Sequence, residues 1–207
     1  MFFKIDKKIL ATNDGIYTGV VIVEGIDNKK ESAGIHEILQ NEVRIISESF
    51  ADNSVKGVKE LDLYREALKS YNINPSKYPC SIEALLNRIV KKGEFPSISP
   101  IVDLANYISL KYKVPVGVHD TDSLDNDLVV RLSNDDDCKI EDNNGNDVLK
   151  PGEPIYTCGH SVRTRRWMWR QLPAGRVDEN STNFILPIDG FYANHDRVDA
   201  AINELCE

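Results

Sequence analysis

The chain is short of the residues that mark metal, disulfide and membrane chemistry. It has four cysteines, Cys80, Cys138, Cys158 and Cys206, all far apart in its 207 residues. They form no CxxC pair and no His/Cys cluster at metal-ligand spacing, which predicts a reduced, cytoplasmic protein without a structural metal. No apolar run approaches the roughly 20 residues needed to span a bilayer. The start, Met1-Phe2-Phe3-Lys4-Ile5-Asp6, sets charge after short apolar pairs, so neither a signal segment nor a membrane partner is expected. Missing too are a G-x-S-x-G elbow, a recognisable catalytic cysteine signature and the glycine loops that cradle ATP or NAD. The expected cofactor set is therefore none, and a hydrolase built on this chain would activate water.

Net positive charge is also lacking. Lys and Arg total 25 against 33 Asp and Glu, a formal charge of -8. Broad phosphate-backbone binding is thereby disfavoured, and any nucleic acid must be gripped locally. Much of the acid lies between Asp120 and Asp147, including Asp135-Asp136-Asp137 and Glu141 to Asp147. This reads as solvated turns, since the alternating ligands of an EF-hand loop are absent.

Against that acidic background, Arg163, Arg165, Arg166 and Arg170 crowd eight residues, interleaved with Trp167, Met168 and Trp169 and followed by Gln171. Cations, indoles and an amide at this density suit a nucleotide or acyl ligand. If Val162 to Arg170 is one strand, Arg163, Arg165, Trp167 and Trp169 share a face, with Thr164, Arg166, Met168 and Arg170 on the other. Either the indoles are core and Arg166 and Arg170 line a cleft, or the indoles stack on a base or acyl group.

Periodicity organises the rest. A strand is expected at Ile16 to Val23, then a helix with Ile35, Ile38, Leu39, Val43 and Ile46 on its buried face. A second helix near Leu61 to Tyr71 turns Leu61, Tyr64, Leu68 and Tyr71 to the core. A third runs from Ile82 to Lys92 and stops at Gly93. A fourth starts with Ser99 as N-cap and Pro100 at the first helical position, and continues to about Tyr112. Short β-branched runs follow at Val116 to His119, Leu128 to Leu132, Ile155 to Cys158, Val162 to Trp169 and Phe184 to Ile188. A last helix runs from Asn194 as N-cap to Leu205, with Val198, Ala201, Ile202 and Leu205 inward.

Two further places can carry chemistry. His119 with Asp120, at the end of a strand, is the acid-base candidate, although adjacent strand residues point to opposite faces. Asn106, in an otherwise apolar helix, needs either solvent or a specific network. His36, His160 and His195 sit in polar, turn-like surroundings.

In order along the chain, Asn74-Pro-Ser-Lys-Tyr-Pro-Cys-Ser-Ile-Glu-Ala-Leu85, Ile101 to Asn106 with Ser109-Leu110, Pro115-Val-Gly-Val-His-Asp120, Gly152-Glu-Pro-Ile-Tyr156, Arg166 to Gln171 and Ile188-Asp-Gly190 resemble one known domain. It is the tRNA-editing domain of the phenylalanyl-tRNA synthetase beta chain, in its freestanding form, and the resemblance covers roughly residues 57 to 191. The resemblance implies an α+β, three-layer domain around a central β-sandwich of unusual topology, with helices packed outside. It implies one editing-type domain over 1-207, with an N-terminal strand and helix in 1-56 and a C-terminal helix in 192-207. It also implies hydrolysis of the ester of mischarged aminoacyl-tRNA, captured in trans by its 3′ end, with a synthetase as candidate partner. Asn106 matches the family's pocket asparagine. His119, Asp120 and Arg166 carry over as catalytic candidates, and Trp169, Arg170, Gln171 and Asp189 as substrate-binding ones, without individual roles. The glutamate of the bacterial synthetase pocket has no clear counterpart near Phe184 to Asp189. The alternative is a non-catalytic tRNA, amino-acid or protein-binding module on the same scaffold.

Overall fold

The structure, a computed structural model, describes residues 2–29, 32–50, 54–92, 95–137 and 148–207. Cys138, Gly93 and the acidic turns from 141 to 147 lie outside the described residues.

The described residues form an α+β architecture with two sheets. The first has strand order β1 (Phe3–Ile5), β4 (Leu128–Leu132), β5 (Pro154–Cys158), β6 (Ser161–Arg165), β7 (Arg170–Gln171). Its β1–β4 pair is parallel and its other pairs are antiparallel. The second is wholly antiparallel, in the order β2 (Ile16–Val23), β8 (Phe184–Phe191), β3 (His119–Asp120). The helices are α1 (Lys7–Thr12), α2 (Ala33–Ser49), α3 (Asp62–Ser70), α4 (Ser81–Lys92), α5 (Pro100–Tyr112) and α6 (His195–Leu205).

Strand β8 ties the molecule together, because all eight of its residues are buried. Ile185 and Phe191 join one apolar cluster with Tyr64, Leu86 and Trp167. Phe184, Leu186 and Ile188 join another with Ile101, Ile108 and Val198. The sequence suggests a strand from Phe184 to Ile188, whereas β8 runs on to Phe191 with Pro187 and Gly190 inside it. Both are accommodated by their neighbours. His119 pairs with Ile185 and Val116 bridges Ile188 in the same register, so β3 is interrupted opposite Pro187, whose nitrogen has no hydrogen to donate. This is also why the run at Val116 to His119 yields only a bridge and a two-residue strand.

Gly190 admits α6. A Cβ there would lie 2.4 Å from Cγ2 of Val198, which is completely buried. Gly190→Ala is expected to cost about 2 kcal/mol through overpacking, read as a lower urea midpoint at unchanged slope.

The helices follow their apolar spacing. Leu39, Val43 and Ile46 of α2 are buried, whereas Ile38 is 39% exposed, one step off the packed stripe. Leu61, Tyr64 and Leu68 are fully buried and Tyr71 is half-buried, its hydroxyl donating to the Ile9 carbonyl at 3.3 Å. Two expected caps work differently. Ser99 makes no side-chain capping bond, and Oδ1 of buried Asn28 instead accepts the Ile101 N–H at 3.3 Å. Asn194 turns from α6 to accept the Phe191 N–H at 2.7 Å and donate to the Tyr64 hydroxyl at 2.9 Å. In α6, Val198 and Ala201 are buried, with Ile202 and Leu205 partly covered. Within the acidic stretch, Asp137 is not solvated: it is 1% exposed and accepts two bonds from Arg131, at 2.6 and 2.8 Å.

Candidate functional site

The strongest departure from the sequence reading falls on the arginine-tryptophan segment. Alternation through Val162 to Trp169 predicts one strand, but β6 ends at Arg165 and the chain reverses, pairing Arg165 with Arg170 and Thr164 with Gln171. Arg166 and Trp167 both adopt left-handed backbone, with φ of 50° and 55°. For non-glycine residues this costs about 1–3 kcal/mol each and persists only where the surroundings fix it. Here Trp167 N–H donates to the Pro154 carbonyl at 2.6 Å, and Ser81 N–H donates to the Met168 carbonyl at 2.7 Å. None of the usual turn residues announces the reversal.

The turn points Trp167 inward, 1% exposed, and leaves Trp169 half-buried at the surface. It also removes most of the local positive charge from solvent. Arg163 is buried and donates to the backbone of Ser123 and Ala174. Arg165 grips Glu153 through two bonds of 2.8 Å. Arg166, 5% exposed, lies 3.6 Å from Glu153 and stacks 3.6 Å from the Tyr78 ring centre and 4.4 Å from that of Trp169. Of the four, Arg170 alone is exposed.

A cleft of about 190 Å³ opens where the two sheets meet α5. Val102, Ala105 and Asn106 of α5 form one wall, and the segment Pro115 to His119 forms another. Thr164, Met168, Trp169 and Gln171 close the hairpin side, with Tyr156, Trp167 and Asp189 at the polar end. Asn106, His119, Trp169, Gln171 and Asp189 thus line the same cleft. Asp120, Arg166 and Arg170 do not line the cleft.

Asp189, 4% exposed, accepts the Tyr156 hydroxyl at 2.8 and 2.9 Å, the Trp167 indole N–H at 3.1 Å and, weakly, the Thr18 hydroxyl at 3.4 Å. Burial pushes its carboxyl up to about 6, these donors opposing the rise. Burial also holds the Tyr156 phenol well above its ordinary value.

His119 is 2% exposed and stacks on Tyr156, with ring centres 5.5 Å apart. Its Nδ1 is buried and has no partner among the described residues. Burial, with the Arg163 cation second, lowers the imidazole to about 3, so it is neutral near pH 7. His119 and Asp120, the acid-base candidates, do not touch each other. Asp120 caps its own turn, accepting the Asp122 N–H at 2.9 Å and the Ser181 hydroxyl at 2.7 Å, because adjacent strand residues face opposite ways. His36 and His195 are exposed, as is His160.

Gln171 donates its amide to the Val118 carbonyl at 2.7 Å and to Gly175, tying the hairpin to the β3 segment. Asn106 is half-buried, and among the described residues its amide has no hydrogen-bond partner. Tyr156 stands in the sequence only as the end of the Gly152 to Tyr156 motif, with no role attached. It belongs to β5, all of whose residues are buried, and only the fold sets its hydroxyl against Asp189.

The described residues thus form an α+β fold in which two sheets and helix α5 border one cleft lined by amide, imidazole, carboxylate and indole groups. The family model of the B3/4 domain matches residues 63–201. The chain belongs to this family, the domain found in the phenylalanyl-tRNA synthetase beta chain and associated with tRNA binding. A search of curated proteins finds no match. Among the described residues, no helix is long and apolar enough to cross a membrane.

Proposed function

We propose that the chain is a trans-acting aminoacyl-tRNA deacylase that hydrolyses the ester of mischarged tRNA in the cytoplasm. In this reading residues 1-207 form one editing-type unit, with the two sheets as the sandwich of the family's three-layer arrangement. The carrying observation is the cleft itself. At about 190 Å³ it is somewhat larger than the roughly 150 Å³ engineered cavity that takes benzene. One aminoacyl group fits such a volume, and the terminal nucleoside would remain outside.

The half-buried Trp169 indole then serves as the rim on which the terminal adenine stacks, held from behind by Arg166 and the edge of Tyr78. Arg166 is thus a positioning residue, and exposed Arg170 is the cation left to meet phosphate. Asn106 donates to the acyl group and orients it. Water attacks the ester carbonyl carbon, the bond to the ribose oxygen breaks, and the proton lost by water ends on that oxygen. His119 or the neighbouring ribose hydroxyl relays it.

One observation favours the binding-module alternative: His119 is held unprotonated far below neutral pH, so it is a weak base. A deacylation panel separates the two. Catalytic amounts of protein are incubated with correctly and wrongly charged tRNAs, and loss of labelled amino acid is followed. Multiple turnovers on one or two mischarged species are expected. Unchanged ester lifetimes across the panel would leave the scaffold as a binder.

A further inference from the structure

Asp189 is a carboxylate enclosed to 4% exposure, and among the described residues it forms no ion pair. Its bonds come from neutral groups: the Tyr156 phenol, the Trp167 indole and the Thr18 hydroxyl. Buried charges in proteins are ordinarily paired, because desolvating an isolated ion is costly. A carboxylate kept from solvent yet bordering an open cleft is therefore matched to a cation that arrives with the ligand. The amide of Asn106 borders the same space and its oxygen can take a second ammonium hydrogen. Val102, Ala105, Val116, Val118 and Met168 give the cleft an apolar wall, while Ser81, Thr164 and Gln171 supply its remaining polar lining besides His119.

From this geometry we infer that the cleft recognises the free α-ammonium group of an aminoacyl ester whose side chain is apolar, and excludes acylated amines. Asp189 is the counter-ion, oriented by Tyr156 and Trp167. The inference rests on reading the cleft as the aminoacyl site, and adds which end of the aminoacyl group Asp189 meets. An N-formyl or peptidyl ester would set a neutral amide against the carboxylate and leave the charge unpaired. The groups facing Asp189 from the packed elements are Thr18, Tyr64, His119, Tyr156 and Trp167, none of them cationic near pH 7. Only the carboxylate itself therefore changes charge as the pH is raised from 5 to 7, and amine binding tightens over that range.

The test uses the intact protein. Leucinamide and phenylalaninamide are titrated at pH 6.5 alongside their N-acetyl counterparts, with thermal shift and NMR of the Trp167 indole N–H as readouts. The free amines are expected to bind about tenfold or more tightly than the acetylated ones, the scale of a charge-assisted hydrogen bond. They should move the Trp167 resonance, and Asp189→Asn should abolish the preference. Equal binding by both forms, or binding by neither, overturns the inference. Amine-selective binding without ester turnover would refute the deacylase reading and leave the inference standing. Binding by the free amino acids that matches the amides would identify a metabolite sensor and overturn the ester assignment.

Discussion

Asn106→Ala is expected to slow ester hydrolysis about a hundredfold while shifting the melting temperature by no more than about 2 °C. The asymmetry follows from its position. Asn106 lies on the middle of α5, half-buried, and among the described residues its amide bonds to nothing in the fold. Its loss breaks no network, and alanine is a better helix former than asparagine. A donor on the α5 wall that meets the acyl group stabilises the charge that develops on the ester carbonyl as water attacks. Single-turnover deacylation of the best mischarged substrate, beside a thermal melt, measures both quantities. An unaltered rate would remove Asn106 from the reaction, and a collapsed melt would recast it as structural.

That Asn106 stands out in sequence alone is no accident. A polar residue on an apolar helical pattern is visible locally, as are the helices themselves, whose stripes at Leu61, Tyr64 and Leu68 or Leu39, Val43 and Ile46 depend on spacing. The family resemblance is legible for a related reason, because its motifs are short runs on one element each. What sequence hides is pairing across distance. Arg165 and Arg166 look like a phosphate grip until Glu153 and Tyr78 are brought against them. The reversal at Arg166 and Trp167 depends on bonds to Pro154 and Ser81, which no local pattern reports. Asp189 lies in a strand that a proline and a glycine disguise, and its partners come from β5 and the hairpin turn. His119 lines the cleft, but its neighbour Asp120 belongs to another surface.

His119 and Asp189 make the molecule's response to acid a difference between two large effects of opposite sign. The imidazole, ordinarily near 6.5, is lowered by burial to about 3. Its contribution to stability is fully present above about 6.5 and drains away as the pH falls, since the unfolded chain gains a proton that the folded one refuses. By pH 5 that loss is about 2 kcal/mol. The Asp189 carboxyl is raised to about 6. Its contribution is greatest below about 4, where an unfolded aspartate is protonated, and disappears as the pH rises through 6. Between pH 7 and 5 it returns about 1 kcal/mol. The wild-type protein should therefore change little over this interval, and the two variants should part in opposite directions. Asp189→Asn removes the compensating group and should lose about 2 kcal/mol between pH 7 and 5, whereas His119→Gln should gain about 1 kcal/mol. Urea unfolding at the two pH values reads both, and carboxylates elsewhere cancel because they are common to all three proteins. Parallel pH profiles would mean that neither group is held as its burial requires, and with that the neutral imidazole and the waiting carboxylate of the cleft would both fall.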